Sequence, residues 1–309
     1  MCSLIFYSSN SLHFAQKTSH SKTAKYFFPF QINMLYFHQF LRLTPFYERH
    51  IFMSKVITMI PVRMASTRLP NKPLLDINGK TLIQRVYENV KKYVPGDIVI
   101  AAGDQVILDE AKKFGAKAIL TDPSLPSGTD RIAAALKEID PDGSKYDIVV
   151  NFQGDGLNVD PRVNLSLIDM IERTNCDIAT CGMVFKNEQD VSDPSMVKIC
   201  MGLREGETEG RCLYFTRAAA PYIRNPEKCK NHDFYHHIGI YVFRASSLKK
   251  MVDLPVGVLE ARESLEQLRA LENGMVIRAR IVDTMKLVEE APADINTPEE
   301  YEEACKFIK

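Results

Sequence analysis

The chain has 309 residues, 45% of them hydrophobic and 25% charged, a globular composition that can fill one large core or two modest ones. Lys plus Arg and Asp plus Glu are both 39, so no net basic field points to nucleic acid, and no apolar stretch is long enough to insert in a membrane. The 7 cysteines are odd in number and scattered, without a Cys-x-x-Cys pair, which fits buried reduced thiols in a cytoplasmic enzyme better than disulfides or zinc.

Residues 1–52 differ in kind from the rest. They are rich in Phe, Tyr, Ser, His and Lys, hold Glu48 as their only acid, and show neither helical nor strand periodicity. Polar residues interrupt every apolar run, which argues against a secretory signal, while the scarcity of acids is shared with organelle transit peptides. Met53-Ser54-Lys55-Val56-Ile57 opens the first strand, so the extension is expected to be disordered, or absent because the true start is Met53. A single domain is expected over 53–309.

The apolar run 56–62 reads as a buried strand. It opens into Arg63-Met64-Ala65-Ser66-Thr67-Arg68-Leu69-Pro70-Asn71-Lys72-Pro73-Leu74, a loop in which Ser66 and Thr67 offer hydroxyls and Arg63, Arg68 and Lys72 offer charge to a polyphosphate. The loop is neither a Walker A sequence nor a Gly-x-Gly-x-x-Gly fingerprint. A turn at 74–80 leads to Thr81, which can cap a helix over 82–93. Strand 97–102, helix 106–114 ended by Gly115, strand 117–120, helix 129–139 and strand 146–152 follow. This alternation predicts an α/β fold with a mostly parallel, doubly wound nucleotide-binding sheet, whose site collects at the carboxyl ends of the strands.

The second half is less regular. Runs 177–184 and 197–200 read as strands, 202–210 as a charged turn, and 211–215 as one return strand. Residues 238–243 form another strand. Residues 259–273 carry the chain's best amphipathic helical pattern, with Leu265, Leu268 and Leu271 inward and Gly274 as the stop. These elements predict a smaller inserted mixed-sheet lobe.

Three places carry chemistry on their own residues. Ser127 or Thr129 can cap the helix after Pro126-Ser127-Gly128-Thr129, with Asp130 favouring its amino end. Asp155 follows a buried strand and Gly154, where Mg²⁺ could take a carboxylate, an Asx turn being the alternative. Asn296 can cap the final helix, whose Pro298 and Glu299 fit a first turn.

From Ser54 onward the chain resembles the sugar-nucleotide cytidylyltransferases. Besides the basic loop, the resemblance is carried by Pro126-Ser127-Gly128-Thr129-Asp130-Arg131, Asn151-Phe152-Gln153-Gly154-Asp155, Leu213-Tyr214-Phe215-Thr216-Arg217-Ala218, and His236-His237-Ile238-Gly239-Ile240-Tyr241. Leu259-Glu260, Glu263-Ser264-Leu265-Glu266-Gln267-Leu268-Arg269 and Asn296-Thr297-Pro298-Glu299-Glu300 complete it. It implies a cytoplasmic, homodimeric nucleotidyltransferase that uses Mg²⁺ to move CMP from CTP to a 3-deoxy-2-ulosonic acid, 3-deoxy-D-manno-octulosonate above all, for lipopolysaccharide synthesis. An amino-sugar analogue or a nonulosonic acid is the alternative acceptor, and a catalytically weakened nucleotide-binding homologue the alternative class.

The same resemblance implies roles. Arg63, Lys72 and Asp155 would be catalytic, and Ser66, Thr67, Arg68, Ser127, Gly128, Thr129 and Gln153 would hold the nucleotide. Arg131 would reach the phosphates or the sugar acid, a surface Arg being the alternative. Arg217 would bind the acceptor's carboxylate. His237, Tyr241, Glu263 and Gln267 would meet its hydroxyls, the last two sharing one helix face four residues apart. Asp155 and Asn296 would hold the metal. Two departures stand out: Gly156-Leu157-Asn158 replaces the family's proline after the Asp, and Asn296 replaces its second Asp.

Overall fold

A computed structural model describes residues 54–65, 68–229 and 231–309, so the 1–52 extension and the hydroxyls of Ser66 and Thr67 lie outside the described residues. Strand β1 (Val56–Val62) is buried along its whole length. Val56, Ile60 and Val62 face one apolar layer and Ile57 and Met59 the other, so a single strand feeds both cores. A small hairpin of β2 (Asp76–Ile77) and β3 (Lys80–Thr81) leads into helix α1 (Leu82–Tyr93). As expected, the Thr81 hydroxyl caps it, accepting from the Gln84 N–H. Strand β4 (Asp97–Ala102), α2 (Gln105–Lys113), β5 (Ala118–Leu120), α3 (Gly128–Ile139) and β6 (Ile148–Asn151) complete the first half.

In chain order the second half contains α4 (Arg162–Arg173), β7 (Ile178–Val184), the one-turn α5 (Glu188–Val191), β8 (Lys198–Cys200), β9 (Glu209–Arg211) and β10 (Tyr214–Thr216). Then come β11 (Tyr235–Arg244), α6 (Ala245–Val252), α7 (Val258–Glu263), α8 (Gln267–Glu272), β12 (Ile277–Ile281) and α9 (Pro298–Phe307). The sheet runs β5-β4-β1-β6-β11-β7-β12-β9. Strands β5, β4, β1 and β6 are mutually parallel, β12 is parallel to β7, and β11 runs antiparallel between β6 and β7. Helices α1, α2, α4 and α9 pack one face, and α3, α6 and α8 the other, as a doubly wound fold requires.

The smaller lobe is continuous with this sheet. β8 pairs with the start of β11 and carries β10 as an antiparallel partner. The expected single return strand is two strands: β9 pairs with β12, and after Leu213 the chain crosses to pair β10 with β8.

The expected long helix over 259–273 is also interrupted. Ser264 takes φ 53°, in the left-handed region, and separates α7 from α8. Arg217 Nε donates 2.7 Å to the carbonyl of Glu263 and Nη2 3.4 Å to that of Ser264, taking up carbonyls a continuing helix would use. Glu263 and Gln267 therefore do not share a helix face. Among the described cysteines, Cys176, Cys181 and Cys212 are buried thiols as expected, but Cys229 is exposed, and none is in a disulfide. Burial pushes the Cys181 thiol up to about 12.

Ile60 has no exposed surface at the centre of the sheet. Ile60→Ala should lower unfolding free energy by about 2–5 kcal/mol, whereas Leu213→Ala, 67% exposed, should change it by less than about 0.5 kcal/mol; denaturant melts of both would check this.

Candidate active site

The carboxyl ends of β1 and β6 are brought together by glycine. A Cβ on Gly154 would lie 2.8 Å from the Pro61 carbonyl oxygen and 2.6 Å from Val62 Cγ2, so only glycine lets the turn after β6 cross β1 at this distance. The next residue, Asp155, is thereby set opposite the basic loop. Beside β1, a Cβ on Gly103 would lie 2.7 Å from Arg131 Nη1, and that bare backbone leaves room for the guanidinium. A cleft of about 420 Å³ results, lined by Arg63, Arg68, Lys72, Arg131, Ser127, Gly128, Gln153, Asp155 and Asn296 among others.

Arg131 is not a surface residue: it is 2% exposed. Its Nη1 donates to Thr121 Oγ1 (2.7 Å) and the Asp122 carbonyl (3.1 Å), whereas Nη2 is buried without a hydrogen-bond partner. Desolvation, then the charge of Arg63, lowers its pKa. A buried guanidinium with unmet donors, in a cleft with further cations, calls for an anion. Ser127, not Thr129, caps α3, accepting from the Asp130 N–H at 3.1 Å. Thr129 is a correction to the expected nucleotide contacts: it is buried, and its hydroxyl donates 2.5 Å to Glu266 Oε1 instead of facing the cleft.

Lys72 Nζ lies 2.6 Å from Asp155 Oδ2 and 2.9 Å from Asn296 Oδ1. Two oxygens from distant parts of the chain thus converge on one cation, and an oxygen-only donor set of this kind suits Mg²⁺. Asn296 is not the cap of α9. Thr297 has that role, accepting from the Glu300 N–H, with Pro298 and Glu299 in the first turn.

The residues expected to hold the acceptor form a second cluster. Strand β11 is irregular between Ile238 and Tyr241, where Gly239 and Ile240 drop out of register with β7. In a regular strand residues four apart stand roughly 13 Å apart, but here the rings of His237 and Tyr241 meet edge-on at 5.5 Å. Thr180 Oγ1 donates to the Ile240 carbonyl at 2.7 Å, so His237 Nε2, 3.1 Å away, donates to Thr180, and Nδ1 accepts from Gln267 Nε2 at 3.5 Å. Burial, then the neighbouring His236, pushes the His237 pKa down to about 3. Glu263 accepts from Thr216 Oγ1 at 2.7 Å and the Arg217 N–H at 2.9 Å.

Arg217 differs from its expectation. Its guanidinium donates to the carbonyls of Glu263, Ser264 and Pro194, so it fastens the walls of the cluster, and it does not line the cleft. Two residues escaped the sequence reading. Glu266 ties Thr129, beside the cleft, to the helix bearing Gln267; its signal was an acid between inward Leu265 and Leu268. Lys198 has no exposed surface and donates to the carbonyls of Asp193 (2.9 Å) and Arg217 (2.7 Å); a lysine inside the apolar run Val197-Lys198-Ile199-Cys200 was the clue.

A nucleotide-sized, cation-lined cleft at the strand ends, with a carboxylate facing the cations, defines a nucleotidyltransferase-type site. A family model described as cytidylyltransferase matches residues 57–281, and the chain belongs to that family. It is 42% identical over 239 residues to the 3-deoxy-manno-octulosonate cytidylyltransferase of Paramagnetospirillum magneticum, covering 77% of this chain and 94% of the relative. The Rhodospirillum rubrum protein of the same name is 42% identical over 254 residues, covering 82% and 95%. A solved structure of CMP:2-keto-3-deoxy-manno-octonic acid synthetase complexed with CTP superposes with a TM-score of 0.71 at 33% identity, over 82% of this chain and 98% of that one.

The buried histidine gives a pH prediction. Its pKa falls from 6.5 to about 3 on folding, so between those values the unfolded chain binds a proton that the native state refuses, and stability falls as pH falls through that window. The loss is about 2 kcal/mol between pH 6.5 and 5. The melting temperature of His237→Gln should therefore decline less than wild type over that interval in scanning calorimetry.

Proposed function

We infer that the chain transfers CMP from CTP to 3-deoxy-D-manno-octulosonate, releasing pyrophosphate and supplying lipopolysaccharide synthesis. The observation that carries this reading is the cleft in which Arg63, Arg68, Lys72 and Arg131 face Asp155 beside the Ser127-Gly128 loop, in a chain whose relatives carry that activity in their names. The four cations bind the triphosphate and oppose charge building on the departing pyrophosphate. Ser127 and Gly128, at the amino end of α3, and Gln153 present polar groups to the nucleotide. His237, Gln267 and Glu263 hold the sugar acid so that its anomeric hydroxyl meets the α-phosphorus opposite the leaving group.

Asp155 and Asn296 would hold Mg²⁺, which when bound would supply Lewis-acid polarisation of the phosphate and lower the pKa of the attacking hydroxyl. Lys72, ion-paired with Asp155, is then free to turn to the phosphates. His237 is too weak a base to take the hydroxyl proton. Further parts of this reading are action in the cytoplasm, and a homodimer for which exposed Tyr222, Val256 and Val258 offer apolar surface. The neutral Asn296 favours a second reading, a homologue that binds CTP with weakened catalysis.

Pyrophosphate release with CTP and a panel of sugar acids separates these readings. Turnover is expected with 3-deoxy-D-manno-octulosonate; CTP binding without any pyrophosphate would favour the weakened homologue, and preference for an amino sugar or nonulosonic acid would change the acceptor. Asp155→Asn should cut turnover at least about a hundredfold while moving the melting temperature little, since it removes charge from a partly exposed side chain without altering its volume.

A further inference from the structure

The side chain of Asn296 is an amide whose two ends are alike in size and opposite in chemistry. Only the oxygen can serve a cation; turned by 180°, the amide would aim N–H donors at it. Two neighbours fix the end that faces Lys72. The Lys72 ammonium, a pure donor, lies 2.9 Å from Oδ1, and the Asp294 carboxylate, a pure acceptor, takes a hydrogen bond from Nδ2 with its Oδ2 at 3.0 Å.

The backbone around this amide is held independently. Asn158 N–H donates to the Ala293 carbonyl (2.9 Å), Ile295 N–H donates to the Asp155 carbonyl (3.4 Å), and Asn296 N–H donates to Glu300 Oε2 (2.6 Å). Ile295 is fully buried, and the exposed Asp294 and the Asn296 side chain flank it on either side. Asp294 is therefore not needed to place the segment. Its hydrogen bond is to the amide, while desolvation and then the nearby Asp155 carboxylate raise its pKa. With Lys72 turned to the phosphates, Asp294 would be the group among the described residues that keeps Oδ1 facing the cation position, and its negative charge behind the amide would make that oxygen a stronger donor to metal.

We propose that Asp294 is a positioning residue that turns the neutral Asn296 into a working ligand of the divalent cation, supplying through the amide the charge that a carboxylate at 296 would carry itself. The proposal rests on the magnesium reading above.

Mn²⁺ binding in the presence of CTP, followed by the electron paramagnetic resonance signal of free Mn²⁺, tests it without requiring turnover. Asp294→Ala should weaken Mn²⁺ binding about tenfold or more. Asp294→Asn, whose own carbonyl can still accept from Nδ2, should lose less. In an Asn296→Asp background, where a symmetric carboxylate needs no orienting, Asp294→Ala should change affinity by less than about twofold, so the two sites couple in the cycle. The melting temperature should change little in Asp294→Ala, because the backbone of this segment is held by Asn158, Asp155 and Glu300. An unchanged Mn²⁺ affinity in Asp294→Ala, or an equal loss in both backgrounds, would overturn the proposal. A wild-type protein that takes up no Mn²⁺ beyond what CTP itself binds would instead sink the magnesium reading, and the proposal with it.

Discussion

The pairing of β1 with β6 is the constraint on which the cleft depends. From β1 the chain goes to β4 and β5 on one side and returns to β6 on the other, so the strand order reverses at β1 and helices from the two excursions diverge there. β6 stops pairing at Met59, while β1 continues to pair with β4 as far as Val62. Pro61, which has no N–H to offer a neighbour, lies in the stretch beyond the last β6 partner. A crevice opens at this point, and the Gly154 turn folds over one of its edges to deliver Asp155.

Charge then decides what the crevice can hold. Arg63, Arg68, Lys72 and Arg131 line it, and among the described residues Asp155 is the lining carboxylate. The unmet Nη2 of buried Arg131 is a cost of folding that a bound phosphate oxygen would relieve. The Lys72 to Asp155 pair works in the same sense. It is partly exposed, so it contributes little to stability, but it keeps a cation and its counter-ion adjacent until a polyanion and a divalent cation exchange partners with them.

The first half of the fold was legible because each element carried its own local signal. Thr81 before an apolar 3.6 period, Gly115 at positive φ after α2, and Asp155 past a buried strand all obey rules that act within a few residues. The second half was less so. Helix α4 has the helical spacing Val163, Leu167, Met170 and Ile171, and the Asp160 carboxylate before Pro161 accepts from the Arg162 N–H at 2.9 Å, a local start signal that went unused in the sequence. The break at Ser264 is imposed by Arg217, about fifty residues away in sequence, and local periodicity reads straight through it. Thr129 was misassigned for the same reason: its partner Glu266 is 137 residues distant.

These long-range departures are concentrated in the cluster of His237, Tyr241, Glu263 and Gln267, and they act in one sense. The irregularity in β11 brings His237 against Tyr241, and the break before α8 turns Gln267 towards His237 while Glu263 stays with Thr216. A regular strand and an unbroken helix would have spread these polar groups along two faces; the distortions gather them into one wall. Glu266, at the start of α8, joins that wall to Thr129, the second residue of the helix whose amino end lines the nucleotide cleft. The two half-sites therefore lean on a common hydrogen bond. A reaction that must hold a sugar hydroxyl in line with a phosphorus needs the relative placement of its two substrates fixed more tightly than either substrate alone, and a bond between the walls supplies that fixity.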